Sequence, residues 1–247
     1  MTVAEFNREF DIGYNSIAGA SAPNLDIYEK SVYLTKAQLE IIKNHYDPTS
    51  NSKQKGFEGS EKRRIDLKQL IKDYKTTEQF VNSSNISNDA KFFNLPSDIF
   101  LIVNEQALIQ SNDCYNGDII EVKPITYDEY NKQVKNPFKQ PSIKLAWRLD
   151  IQNINSNKVV EIIFPYNQRT LQYRLRYIKY PKPIILDNLN ILFPTEQLTI
   201  DGFFSISECE LDSSIHREIL DRAIELALRD YKPDDLQTKV QLDVRNE

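Results

Sequence analysis

The opening residues follow the three- and four-residue spacing of a helix with one apolar face. Val3, Phe6 and Phe10 recur at this spacing, which predicts an amphipathic helix. Thr2 and Glu5 form a capping-box pair, in which hydroxyl and carboxylate accept from the first unpaired backbone N–H groups. The small residues and the proline of AGASAPN then end the helix.

Helical signals resume in LDIYEKSVYLTKAQLEIIKNHY. Thr35 and Gln38 predict a second capping box within this segment. Leu39, Ile42 and Tyr46 lie on one side of the predicted helix, so we expect them to form its buried face.

A third apolar stripe follows the polar loop DPTSNSKQKGFEG. Leu67, Leu70, Ile71 and Tyr74 stand at positions i, i+3, i+4 and i+7 of SEKRRIDLKQLIKDY. This spacing predicts a helix over residues 60–74 whose opposite face is strongly basic.

The middle of the chain changes to short runs rich in β-branched and aromatic residues. They are separated by Asn, Gly, Asp or Pro, which predicts mostly antiparallel strands. SDIFLIVNEQALI predicts one longer strand or a bent pair, and TYDEYNKQV a short helix with a capping box of Thr126 and Glu129. PKPIIL predicts an edge or an extended crossover, because proline donates no backbone hydrogen bond. The strand-like runs are ALIQ, DIIEVKPI, SIKLAWRLDI, KVVEIIF and LQYRLRYIKY.

The stretch CELDSSIHREILDRAIELALRDY predicts a closing helix, which Asp212 or Ser213 can cap. Its apolar ridge consists of Ile215, Ile219, Ala223, Leu226 and Ala227.

The order of helices, strands and a final helix predicts an α+β fold. We expect N-terminal helices and a C-terminal helix packed with a mostly antiparallel central β-sheet or barrel-like region. The predicted boundaries are a helical region at 1–75, a mostly β region at 76–211, a C-terminal helix of the same fold at 212–231 and a polar tail at 232–247.

The charge of the chain is uneven. The net charge of −5 over 247 residues excludes a protein that coats DNA as a cation. Residues 53–75 nevertheless carry eight Lys/Arg and four Asp/Glu, and residues 169–182 carry five Lys/Arg and no acid. The rest of the chain therefore has a net charge of −14. Two basic zones on an acidic body indicate oriented contacts with an acidic partner or nucleic acid, or simply a solvated face.

Cys114 and Cys209 are too few for a disulfide framework. The sequence contains no Cys-x-x-Cys or His-x-x-x-His spacing and no phosphate-binding loop, so we expect no metal and no cofactor. It also contains no apolar run of membrane-spanning length. We therefore expect no membrane contact, and a protein that works in a reducing cytoplasm or in a particle assembled there.

Two patterns could carry chemistry. Cys209 and His216 could form a nucleophile–base pair, although a histidine on an amphipathic helix is ordinarily structural. Asp98, Glu121 and Lys123 match loosely the Asp…Glu-x-Lys arrangement of Mg²⁺-dependent PD-(D/E)xK nucleases. Glu-x-Lys is common by chance in a chain with 27% charged residues.

The run QYRLRYIKY is the best candidate for nucleic-acid binding. Strand alternation puts Arg174 and Arg176 on one face and Tyr173 and Tyr177 on the other. Arginine could contact phosphate and tyrosine could stack on bases. The alternatives are a sheet strand with one core face and one solvated face, or an arginine face that docks on a neighbouring subunit.

Two blocks of the sequence resemble virion structural proteins of crAss-like phages of gut Bacteroidetes, specifically the neck ring proteins that join portal to tail. The first block is LDIYEKSVYLTKAQLEIIKNHY with FEGSEKRRIDLKQLI, and the second contains Cys209, HREIL and DRA. The resemblance covers the N-terminal third and about the last 40 residues. The middle sheet matches only by its order in the chain.

The resemblance implies a structural protein rather than an enzyme. Its expected partners are copies of itself in a cyclic ring, a dodecamer, together with the portal protein and other neck or tail proteins. It implies a place in the virion neck or tail, assembly in the host cytoplasm, and genomic DNA passing through the lumen with non-specific contacts. The alternatives are another virion or assembly protein (tail, scaffold or cargo) and the nuclease described above.

A cyclic ring needs two different patches on each subunit. The basic helix at 60–74 and the acidic remainder of the chain could form such a pair. The candidate interface residues are Arg63, Arg64, Lys68, Arg174, Arg176, Tyr173, Tyr177, His216 and Arg217.

Overall fold

A computed structural model describes residues 1–18, 23–47, 57–77, 87, 89–111, 114–149, 152–154, 157–165 and 169–231. The predicted polar tail at 232–247 lies outside these residues. The helices are α1 (Val3–Ala18), α2 (Ile27–Tyr46), α3 (Glu61–Asp66), α4 (Tyr127–Gln133), α5 (Leu189–Leu192) and α6 (His216–Tyr231). The strands are β1 (Ile71–Thr77), β2 (Ala90–Asn94), β3 (Ile99–Gln110), β4 (Ile119–Pro124), β5 (Leu145–Arg148), β6 (Gln152–Ile154), β7 (Asn157–Ile163) and β8 (Thr170–Lys179).

The chain divides into two compact units. The helical unit contains Met1–Leu70 and the chain from Pro181 onward, whereas the sheet unit contains Ile71–Tyr180. The predicted α+β class is confirmed, with a curled, mostly antiparallel sheet that forms a half-barrel.

In the helical unit, α6 packs against α1 and α2. The ridge predicted for the closing helix is buried: Ile215, Ile219, Ala223 and Ala227 are fully inaccessible and Leu226 nearly so. The capping-box bonds predicted between Thr2 and Glu5 are present at 2.7 and 3.3 Å.

The helices α1 and α6 approach each other closely at a glycine. A Cβ atom built on Gly13 would lie 2.5 Å from Cδ1 of Ile224, a buried residue of α6. Because real Cβ atoms do not approach carbon so closely, any larger residue at position 13 requires Ile224 to move.

The capping box predicted for Thr35 and Gln38 is wrong, because α2 begins earlier. Asp26 caps this helix, and its side chain and that of Glu29 satisfy each other's backbone N–H groups. Thr35 and Gln38 lie in the helix interior, where both are buried. Of the predicted buried face, Ile42 is fully buried, whereas Leu39 and Tyr46 are half-buried.

The buried hydroxyls of α2 instead bind the extended segment PKPIIL. The Thr35 hydroxyl accepts from the Ile184 N–H at 3.2 Å, and the Ser31 hydroxyl accepts from the Leu186 N–H at 3.1 Å. Gln38 donates to the Lys182 carbonyl at 3.2 Å. The prolines therefore fit an extended crossover, several of whose other backbone groups are satisfied by these side chains.

The helix predicted over 60–74 is wrong in its second half. After α3 and a 3₁₀ turn at Lys68–Leu70, the chain enters β1, which pairs antiparallel with β8 from Ile71↔Ile178 to Thr77↔Gln172. Leu67 and Leu70 are buried, as the stripe predicts. The residues that follow join the sheet because a strand distant in sequence offers a full ladder of hydrogen bonds.

The sheet unit has the strand order β1-β8-β3-β4-β5-β7-β2, with β6 paired to β7. The pairs are antiparallel except β4–β5, which is parallel and is connected through α4. The capping box of Thr126 and Glu129 begins α4, as predicted. SDIFLIVNEQALI forms all but the last residue of one long strand, β3, which is interrupted by two register shifts. The core is formed by residues including Phe93, Ala107, Ile120, Ala146, Val160, Ile162, Leu171 and Tyr173.

Candidate assembly surfaces

The predicted basic residues of the helical unit form a surface on and just after α3. Arg64 and Lys68 are exposed, and Arg63 is half-buried. Ile65 lies among them and is 49% exposed. This combination of cationic and apolar groups can bind an acidic, partly apolar partner.

Two contacts with the closing helix and the turn before it hold α3 in place. Lys62 pairs with Glu218 at 2.8 Å, and this hydrogen bond is the main cause that raises the pKa of Lys62. Asp66 is buried and accepts from the Ser214 hydroxyl at 2.8 Å. His45 lies nearby at the end of α2, where burial lowers its pKa and the carboxylate of Asp66 acts in the opposite direction. The basic surface is therefore mounted on a fixed element.

The arginines of β8 lie on the solvent face of the sheet, as alternation predicts. Arg174 is opposite Lys75 on β1 and Gln106 on β3. Arg176 is exposed and lies 3.8 Å from the Asp73 carboxylate. An exposed pair at this distance contributes little stability, so the Arg176 guanidinium can engage a polyanion. Arg174 is half-buried, and its Nε donates to the Gln172 side chain at 3.1 Å.

The tyrosines of β8 lie in the core, so the interface role predicted for Tyr173 and Tyr177 is wrong. They are 0% and 3% exposed. Tyr173 donates to Glu105, and Tyr177 donates to Asp98 at 2.9 Å. Burial is the main cause that raises the pKa of both phenols. Neither ring can stack on a base without unfolding the sheet.

A buried ion pair surrounds the Tyr173 hydroxyl. Nε of Arg148 lies 2.8 Å from Oε1 and 2.9 Å from Oε2 of Glu105. The two side chains are 13% and 4% exposed. The Arg148 guanidinium and the Tyr173 hydroxyl thus replace water as the partners of the Glu105 carboxylate. Because all three groups are largely buried, we assign this network a role in the stability of the sheet.

The nuclease residues are not brought together. Asp98 precedes Ile99, which pairs with Lys179, whereas Glu121 pairs with Gln106 farther along the same strand. At about 3.3 Å per residue, Ile99 and Gln106 are separated by roughly 20 Å. Two carboxylates so far apart cannot hold one metal ion, and no group of metal-ligating side chains occurs in the described part of the chain.

Cys209 and His216 do not form an activated pair, and the interface role predicted for His216 is wrong. His216 is 6% exposed; its Nε2 donates to the Leu211 carbonyl at 3.0 Å, and its Nδ1 lies 2.7 Å from the amine of Met1. Burial lowers the pKa of His216 and raises the pKa of Cys209 to about 11, so the thiol stays protonated at neutral pH. Arg217, next to His216, is exposed.

One surface was missed by the sequence interpretation. Several large apolar side chains on α5 and in the segment after it are exposed: Ile191, Leu192, Phe203, Phe204 and Ile206. The available signal was the turn dipeptide Asp201-Gly202 followed by two phenylalanines, in a stretch free of Lys and Arg from 183 to 216.

The sequence matches a known family of proteins over almost its whole length. Residues 1–239 match the model described as phage tail ring protein 3/4. The chain belongs to this phage tail ring protein family. The resemblance noted in the N-terminal third and the last residues is confirmed, and the family match also spans the middle sheet.

Two relatives of this ring protein come from Bacteroides phage crAss001. Ring protein 4/5 is 42% identical over 251 residues, covering all of both chains. Ring protein 3 is 35% identical over 228 residues, covering 90% of this chain and 94% of the relative. Among the described residues, no helix is both long and apolar enough to cross a bilayer.

Proposed function

We propose that this chain forms a homo-oligomeric ring, a dodecamer, in the phage neck between portal and tail. Its partners are copies of itself, the portal protein and other neck or tail proteins, and the genome passes through its lumen. The ring assembles in the host cytoplasm and remains in the virion. The observation that carries the proposal is the family match over residues 1–239, together with two full-length or nearly full-length relatives that are named ring proteins.

The exposed charges support a role in assembly. Arg64 and Lys68 on the α3 surface are available to a neighbouring subunit, and Arg217 is available to a second partner such as the portal protein. The separation of Asp98 from Glu121 supports a role without catalysis. Linear DNA incubated with the protein and Mg²⁺ should remain intact, and cleavage that Glu121→Ala abolishes would favour the nuclease instead.

The experiment that tests the proposal is the mass of the purified protein, alone and with the portal protein, followed by electron micrographs of the assembled species. We expect a closed ring with dodecameric symmetry. A ring of another symmetry would correct the stoichiometry alone, whereas a monomer under both conditions would contradict the proposal.

We further propose that Arg174 and Arg176 contact DNA in the lumen without sequence specificity. Arg174→Gln with Arg176→Gln should leave the ring intact and weaken its binding of duplex DNA, because two phosphate contacts are lost. The slope of log affinity against log salt should fall by about 2. Arg229→Gln, at an exposed arginine of α6, is the matched control. An unchanged slope would show that Arg174 and Arg176 do not contact DNA, which would contradict this proposal.

A further inference from the structure

The missed apolar surface of the helical unit comes from two short segments. We call it the apolar patch and define it by Ile191, Leu192, Phe203, Phe204 and Ile206, which are 75, 41, 42, 44 and 57% exposed. If a fully exposed large apolar residue presents roughly 200 Å², these fractions correspond to roughly 500 Å². That is more than half of the about 800 Å² that each partner buries in a standard interface.

The patch is held by a tight turn. Asp201 and Gly202 both have positive φ, 49° and 82°, as the central residues of a type I′ turn require. Ile200 and Phe203 flank the turn and exchange two backbone hydrogen bonds of 2.9 Å. The phenylalanines are therefore presented by a defined backbone.

The turn is also tied to the rest of the unit. The Leu189 N–H donates to the Phe204 carbonyl at 2.9 Å, which joins the two segments of the patch. Ile185 and Ser207 exchange backbone bonds of 3.0 and 3.1 Å. Ile200, Ile185 and Leu189 form a buried cluster beneath. Exposed apolar side chains on a backbone held by these hydrogen bonds and by a buried cluster indicate a binding surface for a partner.

The chemistry around the patch is acidic. Between Lys182 and Arg217 the sequence contains six Asp or Glu and no Lys or Arg. Glu196, Asp201 and Glu208 are exposed. A partner for this surface needs apolar area together with positive charge.

The α3 surface has these two properties. Ile65 is 49% exposed, and Arg64 and Lys68 beside it are exposed cations. We propose that the apolar patch of one copy binds the α3 surface of the next copy around the ring. The inference rests on the proposed function, since a cyclic ring requires two different complementary surfaces on each subunit.

The apolar part of the contact is tested by Phe204→Ser with Ile206→Ser. Loss of two central apolar anchors should raise the protein concentration needed for half-assembly at least about tenfold. Ile12→Ser is the matched control, because Ile12 belongs to the same unit, is 62% exposed and lies outside the patch. Circular dichroism and thermal melting should show that the variants remain folded.

The charged part is tested by two reversals. Variant X carries Arg64→Glu and Lys68→Glu, and variant Y carries Glu196→Lys and Glu208→Lys. Each alone should fail to form rings, because like charges then face each other at every contact. An equal mixture should form rings in which X and Y alternate, since acidic α3 of X meets the basic patch of Y and the reverse holds at the next contact.

Mass photometry and negative-stain images of the separate and mixed variants measure the outcome. Rings restored only on mixing support the proposal. Rings formed by X or Y alone, or no rings from the mixture, would overturn it while the proposed function stands. A wild-type protein that never forms rings would contradict the proposed function and this inference together.

Discussion

The buried ion pair of the sheet unit allows a quantitative prediction. Arg148→Met keeps the length and apolar stem of the side chain but removes the guanidinium that faces Glu105. Among the described residues, the carboxylate then keeps the Tyr173 hydroxyl as its donor, at a position where its side chain is 4% exposed. Removal of one partner of a buried pair costs about 3–5 kcal/mol. We expect about 3 kcal/mol, at the lower end, because one hydrogen bond remains.

The assay is urea unfolding followed by tryptophan fluorescence. Trp147 is the single tryptophan, is 1% exposed, and lies beside Arg148 in the core of the sheet unit, so its emission reports on this unit. With a slope of about 2.5 kcal/mol/M, a loss of 3 kcal/mol lowers the midpoint by about 1.2 M. Arg174→Met, at an arginine on the solvent face of the same sheet, should change stability by less than about 0.5 kcal/mol.

A double variant separates the pair from simple loss of packing. Glu105→Leu with Arg148→Met replaces both charges by apolar groups, so we expect it to be more stable than Arg148→Met alone by at least about 1 kcal/mol. If the two substitutions add without coupling, or if Arg148→Met behaves like Arg174→Met, the network does not stabilise the sheet as argued.

Three further predictions concern the helical unit. Ile224→Val should lower the free energy of unfolding by about 1 kcal/mol less in a Gly13→Ala background than in the wild type, because loss of Cδ1 makes room for the new methyl group at position 13. Equal losses of stability in the two backgrounds, measured by thermal melting, would contradict the close approach of Gly13 to Ile224. Thr35→Val should destabilise the unit by about 1–2 kcal/mol and speed hydrogen exchange at the Ile184 amide, and unchanged exchange would show that the hydroxyl is not its acceptor. Because burial lowers the pKa of His216, its contribution is present above the unfolded pKa of about 6.5 and is lost as pH falls through the folded pKa. His216→Gln should flatten the decline in stability below pH 6.5, and an unchanged decline would assign it to other groups.

Local patterns predicted the parts of the fold that depend on neighbouring residues. The capping pairs Thr2–Glu5 and Thr126–Glu129 act over three residues, and the ridge of α6 follows from spacing alone. The alternation of β8 likewise placed its arginines and tyrosines on opposite faces. It could not say that the tyrosine face is the buried one, because burial is set by the strands that surround β8.

The failures come from interactions between distant parts of the chain. Leu67, Leu70, Ile71 and Tyr74 fit a helical stripe, yet the last two belong to a strand because β8, about 100 residues later, provides its partner. Thr35 has the chemistry of a helix cap, but it serves as a buried hydroxyl for Ile184. Pattern reasoning assigns such residues to local roles, and only the three-dimensional partner reveals the other role.

The apolar patch was missed for a related reason. Apolar side chains are usually buried, so a sequence pattern does not reveal that Ile191 and Phe204 are exposed. In the structure, Ile185, Leu189 and Ile200 occupy the buried cluster of this region. The side chains of Ile191 and Phe204 therefore remain at the surface.

The central claim is that this ring protein works through contacts between its copies, and the mass of the purified chain with and without portal protein tests it most directly. We expect a discrete closed ring, a dodecamer, visible as such in micrographs. A protein that remains monomeric alone and with the portal protein would contradict it.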